Sequence, residues 1–147
     1  NNYDKDGKIA SSGKINKSIL IQALKNFEHK AQDMYGPKSY DVKDFDLSFV
    51  RGLSLENGAA TLTKYTSEIL CNFIQTCTDK DEDIIISGGG RKNKFLIKRI
   101  EENSNYQISL KLIDDLGING DFVVEISSLV IQTSTSSATS NAAVSNA

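Results

Sequence analysis

The chain has 147 residues, 39% of them apolar and 24% charged, with a net charge of −2. This length bounds it to one domain, or one lobe of something larger, and the near-balance of charge excludes the basic footprint that nucleic acid demands. No apolar run approaches the roughly 20 residues of a membrane span, and no cationic-then-apolar leader opens the sequence, so neither nucleic acid nor membrane is expected as a partner.

The chain starts at Asn1 rather than Met, as expected of a start trimmed or taken from inside a longer chain. In "NNYDKDGKI", Asn2, Asp4, Asp6 and Gly7 fall at positions one, three, five and six of a calcium loop, with Ile9 at the eighth. Position twelve needs a bidentate Glu and holds Gly13, and no helix leads into the loop. A solvated turn, in which Asp and Gly supply local hydrogen bonds and backbone freedom, is therefore favoured over a small calcium-binding module. Asn16 is placed to cap a helix running to about Phe27, because Ile15, Ile19, Leu20, Ala23, Leu24 and Phe27 repeat at helical spacing. His29 lies between Glu28 and Lys30 with no His or Cys nearby, and reads as a surface residue at the helix end. Gly36 and Pro37 mark a loop, and Asp41 is placed to cap a short helix carrying Val42, Phe45 and Phe49.

Asn57-Gly58 is a turn signal. Beyond it Leu62, Tyr65, Ile69, Phe73 and Ile74, extended by Ala59, Ala60 and Cys77, predict a helix from about Ala59 to Thr78, closed by the charged run "DKDED". Cys71 and Cys77 fall on different sides of that helix, spaced neither as a metal knuckle nor as a redox pair, and are expected to be buried, reduced thiols of a cytosolic protein. Ile84 to Ser87 is a continuous β-branched run, the pattern of a strand buried on both faces. After "GGGRKN", Phe95, Leu96, Ile97 and Ile100 begin another helix, and "YQISLKLI" then alternates strictly, as a half-buried strand does. Strand, glycine turn, helix, strand is a crossover unit of a parallel or mixed sheet, so the fold class is α/β. From Thr133 onward the chain has no charge, aromatic residue or periodicity; residues 1–132 are expected to fold and 133–147 to form a disordered tail.

The chemistry is concentrated in "DIIISGGGRKN". A strand delivers the chain to Gly88, Gly89 and Gly90, and a helix starts beyond them. Without a Cβ, bare main chain lets a flat ligand lie directly against it, and amides at the helix start can donate to a ligand oxygen or phosphate. Asn93 is placed to bond a ligand or to cap the helix. The stretch is neither a Walker loop nor the dinucleotide fingerprint, and a tight strand-to-helix turn with no ligand is an equal reading of the residues alone.

Five ordered patterns resemble the C-terminal lobe of the anhydro-N-acetylmuramic acid kinase family, of the superfold shared by sugar kinases, heat-shock chaperone ATPases and actin. They are Tyr3, Asp4, Gly7, Ala10 and Gly13; Pro37, Lys38 and Ser39; Gly58 through Thr63 with Tyr65 and Thr66; Gly88, Gly89, Gly90 and Asn93; and Leu116, Gly117, Gly120 and Asp121. The resemblance implies one actin-like lobe, a mixed sheet flanked by helices. It implies a cytoplasmic enzyme that uses ATP, with Mg2+, and water to open the 1,6-anhydro ring of a cell-wall sugar and phosphorylate its 6-hydroxyl, in peptidoglycan recycling. By the same resemblance Gly88, Gly89, Gly90 and Asn93 hold the adenosine end of ATP, and Thr61 and Thr63 lie near the cleft on an "ATLT" turn.

The pattern also departs from the family. The N-terminal lobe with its phosphate loop and catalytic aspartate is absent from this sequence, so no residue here inherits catalysis and no metal ligand is assigned. A separate chain carrying that lobe is the expected partner, beside ATP and the anhydro sugar. The sugar-contacting Glu is expected at 124, where Val124 stands, with Glu125 one place late. An abrupt loss of pattern after residue 123 fits a reading-frame change or a decayed gene, so a non-catalytic remnant is the alternative to a kinase lobe.

Overall fold

A computed structural model describes residues 4–32, 45–77, 83–104, 109–120 and 131–133, with backbone alone at 30–32, 77 and 131–133. The expected loop at Gly36-Pro37, the start of the helix at Asp41 and the tail from 134 lie outside the described residues.

The chain enters through a single 3-10 turn, Lys5–Gly7, in which Asp6 and Gly7 take left-handed φ of 58° and 71°. The turn reverses the chain so that the Asp4 carboxylate faces the start of helix α1, Lys8–Ser12. The Ile9 amide donates to Asp4 Oδ1 at 2.8 Å and the Ala10 amide to Oδ2 at 3.0 Å. These are amides a helix start leaves without an internal partner, so Asp4 acts as a cap displaced from the usual position. With both oxygens engaged by main chain, Asp4 fits the turn reading of this stretch and not the calcium one.

Helix α2, Lys17–Gln32, is capped as expected: the Ile19 amide donates to Asn16 Oδ1 at 3.1 Å. Its buried face carries Leu20 and Ala23, and His29 is exposed in its last turns. Helix α3, Leu55–Cys77, is the spine, about 34 Å long at 1.5 Å per residue. It begins four residues before the expected Ala59. Ser54 caps it, accepting from the Asn57 amide at 3.3 Å, and the Gly58 amide bonds the Ser54 carbonyl at 2.8 Å. Asn57-Gly58 is thus the first helical turn rather than a break, because a cap upstream overrides the local turn preference. The "ATLT" segment is likewise helix, not turn.

Two apolar clusters lie along α3. Tyr65 and Ile69 pack with Leu20 and Ala23 of α2, bordered by Phe27, Phe45 and Phe49. Cys71 and Ile74 pack with Ile84 of strand β1 and Ile100 of helix α4. Helix α4, Lys94–Asn103, is also tied to α3 by polar bonds: Asn103 Nδ2 donates to the buried Ser67 hydroxyl at 2.8 Å, and Lys64 donates to Asn103 Oδ1.

The sheet has the order β2-β1-β3. Strand β1, Asp83–Ile86, pairs in parallel with β2, Ser109–Leu112, placing Ile84 beside Leu110 and Ile86 beside Leu112. Strand β3, Ile131–Thr133, pairs antiparallel on the other side of β1, with Ile84 opposite Thr133. The mixed sheet and the β1–α4–β2 crossover match expectation, and the sheet reaches Thr133, one residue into the stretch assigned to the tail. The burial of β1 differs from expectation. Ile84 and Ile86 are buried, while Asp83 and Ile85 are only half-buried, so β1 is fully covered on one face. Period-two alternation sends Ile84 and Ile86 to one face, and Ile84 packs there against Cys71, Ile74 and Ile100.

Candidate functional site

β1 ends at Ile86, and Ser87, itself buried, leads into the glycines. Gly88 has φ 79° and ψ 176°, a region essentially closed to residues with a Cβ. A 3-10 turn over Gly89–Lys92 follows, closed by the Arg91 amide on the Gly88 carbonyl at 3.3 Å and the Asn93 amide on the Gly90 carbonyl at 3.0 Å. Gly89 is exposed and Gly88 and Gly90 are half-buried. A Cβ placed on Gly89 would meet no atom within 4 Å, so a strip of main chain faces open space there.

Asn93 caps α4: the Leu96 amide donates to its Oδ1 at 3.0 Å. The N-terminal turn packs on this same cap, since a Cβ on Gly7 would stand 2.5 Å from Asn93 Oδ1 and overlap Phe95 Cβ. One helical turn along, a Cβ on Gly13 would overlap the Glu56 carbonyl at the start of α3. The N-terminal turn is therefore wedged between the starts of α3 and α4. Two of the sequence patterns meet there, through Gly7 of the first and Asn93 of the glycine pattern.

Thr61 is fully buried. Its hydroxyl donates to the Asn57 carbonyl at 2.7 Å and accepts the Asn16 amide at 3.0 Å, while the Lys14 amide donates to Asn57 Oδ1 at 2.8 Å. Thr61 thus ties the entry of α2 to the first turn of α3 and presents no face to a ligand in this arrangement. Thr63 is half-buried in the same helix. The structure therefore groups Gly88, Gly89, Gly90 and Asn93, and sets Thr61 among the ties between helices.

Arg91 is a residue that the sequence reading did not single out. It is 4% exposed. Its Nη1 donates to the Gly88 carbonyl at 3.0 Å, and its Nε and Nη2 donate to the two oxygens of Asp114 at 2.5 and 3.1 Å. Asp114 belongs to a short 3-10 turn, Ile113–Leu116, that continues β2, and its Oδ1 also accepts the Gly120 amide at 3.2 Å. The Arg91 bond, helped by the Gly120 amide, brings the Asp114 carboxyl down to about 2. The signal that points here is the acidic pair "DD" following a strand adjacent to β1, since parallel pairing brings their two C-terminal ends together.

Elsewhere, Tyr65 lies beside a cavity of about 500 Å³ lined by Ile19, Gln22, Phe27, His29 and Phe49 among others. Burial, then the Asp46 charge, raises its phenol above the usual range. No grouping of three Asp, Glu, His or Cys side chains that could hold a metal occurs among the described residues. No helix among them is long and apolar enough to cross a membrane.

Residues 1–133 match the family described as "Anhydro-N-acetylmuramic acid kinase". The match runs ten residues past position 123, where the sequence pattern was expected to fail. A relative of that name from Pelagibacter ubique is 41% identical over 125 residues, covering 82% of this chain and 33% of the relative. Others of that name are similar: from Zymomonas mobilis at 34% over 119 residues and from Rhizorhabdus wittichii at 36% over 119, each covering 81% of this chain and 31% of the relative. The chain spans about a third of the length of these curated relatives. A match over residues 1–133, with a relative at 41% identity, makes this chain a member of the anhydro-N-acetylmuramic acid kinase family.

Proposed function

We propose that this chain is the nucleotide-binding part of an ATP-dependent carbohydrate kinase acting on 1,6-anhydro-N-acetylmuramic acid and giving N-acetylmuramic acid 6-phosphate, in the cytoplasm. The observation that carries the reading is the open strip at Gly89, next to the Asn93 cap on which Gly7 is seated. In this reading Gly88, Gly89 and Gly90 lie flush with the adenosine of ATP, Asn93 fixes the turn, Thr61 ties the entry of α2 to α3, and Thr63 lies near the cleft on α3. Phosphoryl transfer depends on positioning and charge stabilisation more than on covalent help. Mg2+ would arrive on the nucleotide phosphates. The catalytic aspartate and the remaining sugar contacts would come from a complementary lobe, on a separate chain or in a longer one.

The test is Gly89→Ala. Open space around Gly89 predicts unchanged folding, while the added methyl would lift a purine off the main chain. Calorimetry with ATP on the purified chain is expected to show binding that this variant weakens at least tenfold at an unchanged melting temperature. An assay with ATP and the anhydro sugar, with and without the complementary two thirds of a relative, then asks for turnover. If the wild-type chain binds no ATP and gives no turnover with that complement, the remnant reading replaces this one.

A further inference from the structure

Arg91 is a buried cation that the nucleotide reading does not use. Three of its hydrogen bonds fall on two places. Nη1 and its own amide together occupy the Gly88 carbonyl, at 3.0 and 3.3 Å. Its other edge grips both oxygens of Asp114, a planar two-point pairing that lysine cannot reproduce. Asp114 is in turn held by the Gly120 amide at 3.2 Å. Gly120 lies against the guanidinium itself: a Cβ there would overlap Nε and stand 2.6 Å from Cζ and 2.7 Å from Ile113 Cγ2. Gly120 is thus bare for want of room, and the room is filled by Arg91.

Apart from the clasp, the turn is closed by two main-chain bonds, from the Arg91 amide to Gly88 and from the Asn93 amide to Gly90. Gly88 sits at φ 79°, glycines lack side chains with which to anchor themselves, and Gly89 is exposed. A three-glycine segment left alone samples many backbone states, and ordering it on each binding event would weaken affinity.

We propose that Arg91, anchored by Asp114 and seated on Gly120, is a positioning residue: it holds the Gly88 carbonyl and so presets the glycine turn for nucleotide. The proposal rests on the nucleotide reading above for its functional half. The clasp joins the C-terminal end of β1 to that of β2 through the turn after each strand. It also gives Gly120, in the pattern that runs from Leu116, a role at the turn.

The test uses the full chain with Asp114→Asn and Gly120→Ala, and Asp83→Asn as control. Asp83 forms an exposed, single-point ion pair with Lys111, at 2.5 Å, at the opposite end of β1 from the glycine turn. Amide hydrogen exchange at Arg91 and Asn93, whose bonds close the turn, is expected to rise about tenfold in the first two variants. Exchange along α3 should stay unchanged, and ATP affinity should fall by about the same factor. Asp83→Asn should alter neither reading. Unchanged exchange at Arg91 and Asn93 overturns the clasp, as does exchange that rises equally throughout α3 and α4, which marks general destabilisation. Faster local exchange with unaltered ATP affinity overturns the positioning role while leaving the nucleotide site standing. If the wild-type chain binds no ATP, the functional reading falls, and the exchange data alone decide whether Arg91 shapes the turn.

Discussion

Gly7 and Asn93 lie against one another, with only the absence of a Cβ on Gly7 leaving space for the Asn93 side chain that caps α4. The contact demands glycine twice over, since Gly7 also takes a left-handed φ of 71°. Gly7→Ala is therefore expected to cost about 2 kcal/mol or more in urea denaturation, combining roughly 1–2 kcal/mol of backbone strain with displacement of the cap. Asn93→Ala alone should cost about 1 kcal/mol, the worth of a typical N-cap. Because both changes act on the same cap, the double variant should lose less than the sum of the two. Strict additivity would mean that Gly7 and the cap are independent.

Thr61 separates a structural from a ligand-binding role cleanly. Its hydroxyl bonds the Asn57 carbonyl and the Asn16 amide while fully buried. Thr61→Val keeps the shape but strands the Asn16 amide, at an expected cost of about 1–3 kcal/mol, and Thr61→Ser should recover much of it. ATP affinity measured well below the melting temperature should barely change. A large affinity loss with normal stability would instead make Thr61 a nucleotide contact.

Much of this arrangement is legible in the sequence where the signals are local. Asn16 and the repeat behind it predict α2, and the run from Ile84 through the glycines to "YQISLKLI" predicts β1, α4 and β2. Local rules fail where a distant residue decides. Asn57-Gly58 looks like a turn until Ser54 is seen capping a helix through it. Nothing beside Arg91 in the sequence marks it, because its partner Asp114 reaches it only through the parallel pairing of β1 and β2. Thr61 sits in a pattern shared with an enzyme family, and such a pattern does not distinguish a residue that touches ligand from one that fastens the helices behind it.

Cys71 supplies a probe of the second core cluster. It is 2% exposed, its thiol donates to the Ile100 carbonyl at 3.4 Å, and burial, then the Glu68 charge, pushes it up to about 11. In a Cys77→Ser background at pH 8, a disulfide reagent should modify it about two orders of magnitude more slowly than a free thiol, because the thiolate is the nucleophile. Urea should restore the ordinary rate at the unfolding midpoint. Rapid labelling below that midpoint would show that α3 and α4 part locally.

Acid should release the clasp late. The Asp114 carboxyl lies at about 2, below the roughly 3.9 of an unfolded Asp, because Arg91 and the Gly120 amide bond its charged form. A depressed folded-state value means that the charged pair favours the folded chain fully above about pH 4, and that this contribution is lost as pH falls through about 2. Asp83 is also held below its usual value, first by its bond from Lys111, and adds to the same acid limb. Urea midpoints measured between about pH 5 and pH 2 should therefore fall with acid in the wild type and fall less steeply in Asp114→Asn. The Arg91 Nε proton, followed by NMR, should keep its clasped shift down to about pH 3. If it changes near pH 4 instead, the carboxylate titrates as a free one and the pairing does not hold in solution.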